Sequence, residues 1–120
     1  MLSVYPLRSI HAWGVPAAFT SDAPQTPCAP LLASRAVVTR KVEDEAVLSE
    51  NERISVMDAF RMYTDSGAYA SCDEQVKGAI APGMLADLVI FDGDPVRDGG
   101  ESPGTEVAAT VIDRKEVWER

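Results

Sequence analysis

The spacing of apolar residues changes character along this chain. In YPLRSIHAWG, residues 5–14, Leu7, Ile10 and His11 fall on one face at i, i+3 and i+4. Pro6 presets φ at the start and Gly14 follows the end, so a helix is predicted here. Residues 15–19, VPAAF, form an unbroken apolar run. They are predicted as a short buried strand, with Pro16 tolerated only at its beginning. Residues 22–30 carry Pro24, Pro27 and Pro30 and read as loop.

Residues 31–40 return to helical spacing, with Leu32, Ala33, Ala36 and Val37 inward and Arg35 and Arg40 outward. Residues 41–52 are acidic and aperiodic, an exposed connection in which Glu43, Asp44 and Glu45 form a solvated face. Ser55 and Asp58 have the spacing of a capping box, in which hydroxyl and carboxylate satisfy free N–H groups of a first helical turn. Val56, Ala59, Phe60 and Tyr63 share the face that follows. That helix is expected to end near Ser66 and Gly67, with one more turn over residues 68–70.

From there the pattern is that of strands. Pro82-Gly83 signals a type II turn. DLVIFD, residues 87–92, is a β-rich run, with Asp87 and Asp92 as turn or cap residues at its ends. Residues 106–113 and 115–119 flank Asp113-Arg114 as a hairpin. A two-residue hairpin loop favours glycine second, so Arg114 implies either strain or a longer loop. The pattern divides the chain into residues 1–75 and residues 76–120.

The net charge of −8 over 120 residues, with 46% hydrophobic residues, describes one ordinary globular unit. Without a basic stripe it excludes nucleic acid as a partner, and it disfavours anionic membrane surfaces. No apolar run approaches the ~20 residues of a membrane span. Cys28 and Cys72 stand alone, without metal-type spacing. They read as small buried hydrophobes in a reducing compartment, which makes a cytoplasmic location the expectation.

One stretch poses a chemical question. AAFTSDAP ends an apolar run in a carboxylate, Asp22. In parallel α/β folds reacting groups sit where strands end. Ser and Asp equally cap the next helix or fill turns. The single histidine, His11, lies inside the first helix, and Ser21 has no histidine placed to activate it.

Read in order, YPLRSIHAWGVPAAFTSDAP, AVVTR, SVMDAFRMYTDSGAYAS and GAIAPGMLADLVIFDGDP, followed by VAATVID and KEVW, resemble the C-terminal part of a metal-dependent amidohydrolase. The likeness is to the amidohydrolase-3 group, the branch similar to N-substituted formamide deformylase. The PGMLADLVIFD stretch is shared across that superfamily, whereas SDAP with YTDSGAYAS narrows it to this branch. The resemblance implies an α/β fragment: the last strand and helices of a (β/α)8 barrel over residues 1–75, plus C-terminal strands of a small β-sandwich over 76–120. It implies hydrolysis of a non-peptide, amide-like carbon–nitrogen bond of a small molecule by a metal-activated water.

Within that resemblance Asp22 matches the aspartate that ligates the metal centre and orients or deprotonates the attacking water. The other ligands would lie upstream, so a divalent metal, zinc, is expected in the full-length family and none in this chain alone. A non-catalytic structural or interaction module is the alternative. The expected partner is a second copy or a complementary upstream fragment, drawn to open edges at residues 15–19, 87–91 and 107–112.

Overall fold

The computed structural model describes residues 4–42, 46–97 and 104–120. The acidic triplet Glu43–Asp44–Glu45 lies outside the described residues. A helical part comes first, with α1 (Leu7–Ala12), α2 (Pro30–Thr39), a 3₁₀ turn (Glu50–Glu52), α3 (Val56–Tyr63) and α4 (Asp65–Ala70). Then β1 (Leu88–Phe91), β2 (Val107–Ile112) and β3 (Lys115–Glu119) form an antiparallel sheet in the order β1-β2-β3. No helix among the described residues is long and apolar enough to cross a membrane.

The capping box forms as its spacing requires. The Asp58 N–H donates to Ser55 Oγ at 3.1 Å, and Ser55 Oγ donates to Asp58 Oδ2 at 2.6 Å. With its first turn satisfied, α3 buries Val56, Ala59 and Met62. Leu7 of α1, Ile54, Ala59 and Met62 make the core, with Ala17, Phe19, Val37 and Val38 packed against it. Phe60 and Tyr63 flank this face half-buried, so the inward stripe is rotated toward Met62 relative to the expected one. α3 also ends at Tyr63, with Thr64 alone between it and α4, rather than running to Ser66.

α2 is rotated as well. Leu32 and Ala36 are exposed, and Ser34 and Thr39 are buried instead. Apolar spacing alone misjudges the face because Val37 and Val38, rather than Leu32 and Ala36, pack against the core that α3 shares. The largest departure is Arg40. Expected outward, it is 6% exposed and ends α2 in a left-handed turn at φ 61°. Its Nε donates to Leu48 C=O at 2.9 Å, and its terminal nitrogens donate to the carbonyls of Tyr5 and Val4. Five fixed N–H donors let one guanidinium satisfy several backbone carbonyls, which is what makes its burial tolerable. Nearby, buried Glu52 accepts Ser9 N–H at 3.0 Å and Ser9 Oγ–H at 2.7 Å, pinning the start of α1 from across the chain.

Residues 15–19 belong to no helix, strand or turn and do not form the expected buried strand. Val15 is exposed, and the segment's backbone is tied by Val15 N–H to Ile10 C=O and Phe19 N–H to Met62 C=O, at 3.3 and 3.0 Å. A strand exists only through a neighbour, and the three strands among the described residues pair with one another. For the same reason residues 107–112 are no open edge: β2 lies in the middle, leaving β1 and β3 outermost.

The turns follow their residues. Met84 N–H bonds Ala81 C=O at 3.1 Å, with Gly83 at φ 91° as a type II turn demands. Asp113 and Arg114 close a two-residue hairpin, both in the left-handed region at φ 49° and 63°. The loop is therefore the short one, with Arg114 in a conformation that glycine would take more easily. Asp87 and Asp92 bracket the sheet: Asp87 Oδ1 accepts Asp113 N–H at 2.9 Å, and Asp92 Oδ1 accepts Glu106 N–H at 2.8 Å. Arg120 then joins Asp92 and Glu106. One aromatic pair, Phe60 on Phe91 with centroids 6.1 Å apart, links helices to sheet.

Candidate functional site

Phe19 is the root from which Asp22 projects. Besides its N–H bond to the C-terminal part of α3, its ring packs edge-on against Tyr63 with centroids 5.3 Å apart. Burial, and then the Cys28 thiol, pushes the Tyr63 phenol above its ordinary value. Past Phe19 the chain turns. Asp22 sits at φ 53°, and its C=O accepts Gln25 N–H at 2.9 Å. Its N–H donates to Thr20 Oγ1 at 3.3 Å, while Thr26 Oγ1 donates to Ser21 C=O. The Asp22 side chain is exposed at the tip.

Of the two local readings of Asp22, the helix-cap one fails. α2 begins at Pro30, and its N-cap is Ala29, with no side-chain cap. Asp22 is a turn residue. Thr20 and Thr26, which hold that turn, were not singled out from the sequence, although threonines on either side of a turn aspartate are a recognisable hydroxyl-to-backbone signal.

The structure does not gather the other chemistry-bearing residues around Asp22. His11 is exposed on α1, at a hollow of about 300 Å³ that Met62, Asp58, Arg61 and Asp65 also line. There the Ser55 hydroxyl holds the Asp58 carboxyl below its ordinary value, with smaller help from His11 and Arg61. Cys28 and Cys72 are exposed rather than buried, because both fall in loops outside the core. Among the described residues no three His, Cys, Asp or Glu side chains converge to hold a metal ion. A hydrolytic metal centre takes three protein ligands or more. The donors present here therefore do not fit a complete centre, and Asp22 would be a single contributor to one.

Solved hydrolases share this fold. An amidohydrolase from Thermotoga maritima MSB8 matches 95% of this chain and 26% of its own, with a TM-score of 0.71 at 23% identity. An uncharacterised metal-dependent hydrolase from Pyrococcus horikoshii OT3 matches 81% of this chain and 20% of its own, with a TM-score of 0.70 at 27% identity. The chain itself belongs to the amidohydrolase family, whose sequence model matches residues 1–117.

Curated relatives agree. The putative amidohydrolase YtcJ of Bacillus subtilis (strain 168) is 32% identical over 124 residues, covering 100% of this chain and 23% of that protein. N-substituted formamide deformylase of Arthrobacter pascens is 32% identical over 120 residues, covering 99% and 22%. The chain thus spans less than a quarter of the length of these relatives.

Proposed function

We propose that this chain is the C-terminal part of an amidohydrolase that hydrolyses a non-peptide carbon–nitrogen bond of a small molecule. Residues 1–75 would complete the catalytic barrel, and residues 76–120 would add strands to the small sheet domain beside it. The observation that carries the reading is Asp22: within a chain matching the family over residues 1–117, it stands exposed just past an apolar segment tied to α3 through Phe19. Its carboxylate meets no hydrogen-bond donor among the described residues and is free for chemistry.

In hydrolysis of an amide-like bond, water oxygen adds to the carbonyl carbon while a base takes its proton, and the nitrogen leaves with a proton. Asp22 is suited to receive the first proton and pass it to the departing nitrogen. The divalent ion of the family, zinc in this proposal, would be held by donors elsewhere in the fold with Asp22 as one ligand. N-substituted formamides are the substrate class to try first, by likeness to the Arthrobacter relative.

The test joins this segment to the rest of the fold, as one polypeptide or by mixing with the complementary portion, and follows amine release from an N-substituted formamide. Activity that disappears in Asp22→Asn, with the protein still folded, is the expected result. Near-normal turnover in Asp22→Asn would return Asp22 to a turn residue and leave the non-catalytic module as the better reading.

A further inference from the structure

We infer that Thr26, with Thr20, is a positioning residue that sets the aim of Asp22; this rests on Asp22 being the reacting carboxylate proposed above. An aspartate in a turn ordinarily spends its carboxylate on the turn, accepting a backbone N–H two residues on. Here that residue is Pro24, which has no N–H to give, so the carboxylate is left out of the turn and the threonine hydroxyls hold it instead. The peptide joining Ser21 to Asp22 is held at both ends, its C=O by Thr26 Oγ1–H and its N–H by Thr20 Oγ1. The C=O of Asp22 is taken by Gln25 N–H. The N–H and C=O of Asp22 and the C=O of Ser21 are thus bonded without the carboxylate.

The same bonds hold Asp22 at φ 53°, a left-handed conformation that aspartate tolerates but a free chain seldom keeps. The direction of its Cβ therefore depends on the closure of the 21–26 loop. Downstream of Phe19 no β-ladder holds this stretch among the described residues, so the hydroxyls substitute for one. Thr26 makes the longer closure, spanning five residues against two for Thr20, and its loss should release the turn as a whole.

The separating variants are Thr26→Val, which keeps the shape and removes the donor, and Thr26→Ser, which keeps the donor. In the 120-residue chain, NMR amide exchange at Asp22 and Gln25 should quicken several-fold in Thr26→Val and stay as wild type in Thr26→Ser. In the polypeptide that carries this segment with the rest of the fold, Thr26→Val should lower kcat by roughly 10- to 100-fold, the scale of a misplaced reacting group. KM and bound zinc should be unchanged, and Thr26→Ser should restore kcat.

Wild-type kcat in Thr26→Val alongside an inactive Asp22→Asn would overturn this inference and leave the proposed function standing. Full activity in Asp22→Asn would overturn both. Parallel loss of zinc, KM and kcat in Thr26→Val would mark a general loosening and also count against it. Should Thr26→Val not fold, Thr20→Val in the same assays carries the test, with a smaller loss of kcat expected.

Discussion

Met62 is the side chain on which the helical part converges, and Met62→Ala is the sharpest test of that packing. It is 4% exposed and packs with Leu7, Ile54 and Ala59, while Phe19 and the α2 valines close the cluster. Removing a buried methionine side chain costs about 2–5 kcal/mol, depending on how far the surroundings collapse into the gap. The half-buried neighbours Ala17, Phe19, Val37 and Val38 have room to move inward, which places this site in the lower half, about 2–3 kcal/mol. A chain of this size has roughly 6–18 kcal/mol in all, so the loss is large without being fatal.

Met57 supplies the control. It lies on the same helix but is 45% exposed, and its replacement by Ala should stay within about 0.5 kcal/mol. Urea unfolding followed by circular dichroism reads both. With a slope of about 1–3 kcal/mol per molar, Met62→Ala should bring the midpoint down by about 1–2 M and Met57→Ala should barely move it. Amide exchange at Phe19 should quicken with Met62→Ala, since its acceptor is the Met62 carbonyl. Equal effects of the two alanines, or a loss below about 1 kcal/mol at Met62, would refute this account of the core.

Acid should unfold the chain through three carboxylates held below their ordinary values of 4.5 for Glu52 and 3.8 for Asp58 and Asp73. The causes are Ser9 N–H and hydroxyl at Glu52, the Ser55 hydroxyl at Asp58, and the Lys77 ammonium with the Ser71 hydroxyl at Asp73. Depressed folded-state values mean that this stability is complete above the unfolded values and is lost as pH falls through the lower, folded ones. Urea midpoints should thus be flat near neutrality and fall below about pH 4.5, less steeply in Glu52→Gln; a midpoint that rises on acidification would contradict it. At the junction of helices and sheet, a double-mutant cycle of Phe60→Ala and Phe91→Ala should give a coupling of about 0.5–1.5 kcal/mol. Strict additivity would mean that the stacked pair does not join the two parts.

The local grammar of this protein was legible in its residues. The capping box at Ser55 and Asp58, the Pro82-Gly83 turn, the three strand segments and the hairpin at Asp113-Arg114 depend on neighbours a few residues apart, and the family resemblance rests on such short motifs. Asp22 stands out in the sequence as a carboxylate at the end of an apolar run, and the structure places it exposed in a turn rather than at a helix cap.

Tertiary structure decided whatever depends on distant partners. Arg40 looked like a surface residue by spacing, yet carbonyls of Val4, Tyr5 and Leu48 draw it inside. Glu52 looked like part of an acidic connection and instead pins α1 through Ser9. Residues 15–19 have the apolar composition of a strand, but a ladder is a property of two segments, and the described residues supply no second one there. The sequence names candidate donors and acceptors, and only the folded path of the chain determines which of them meet.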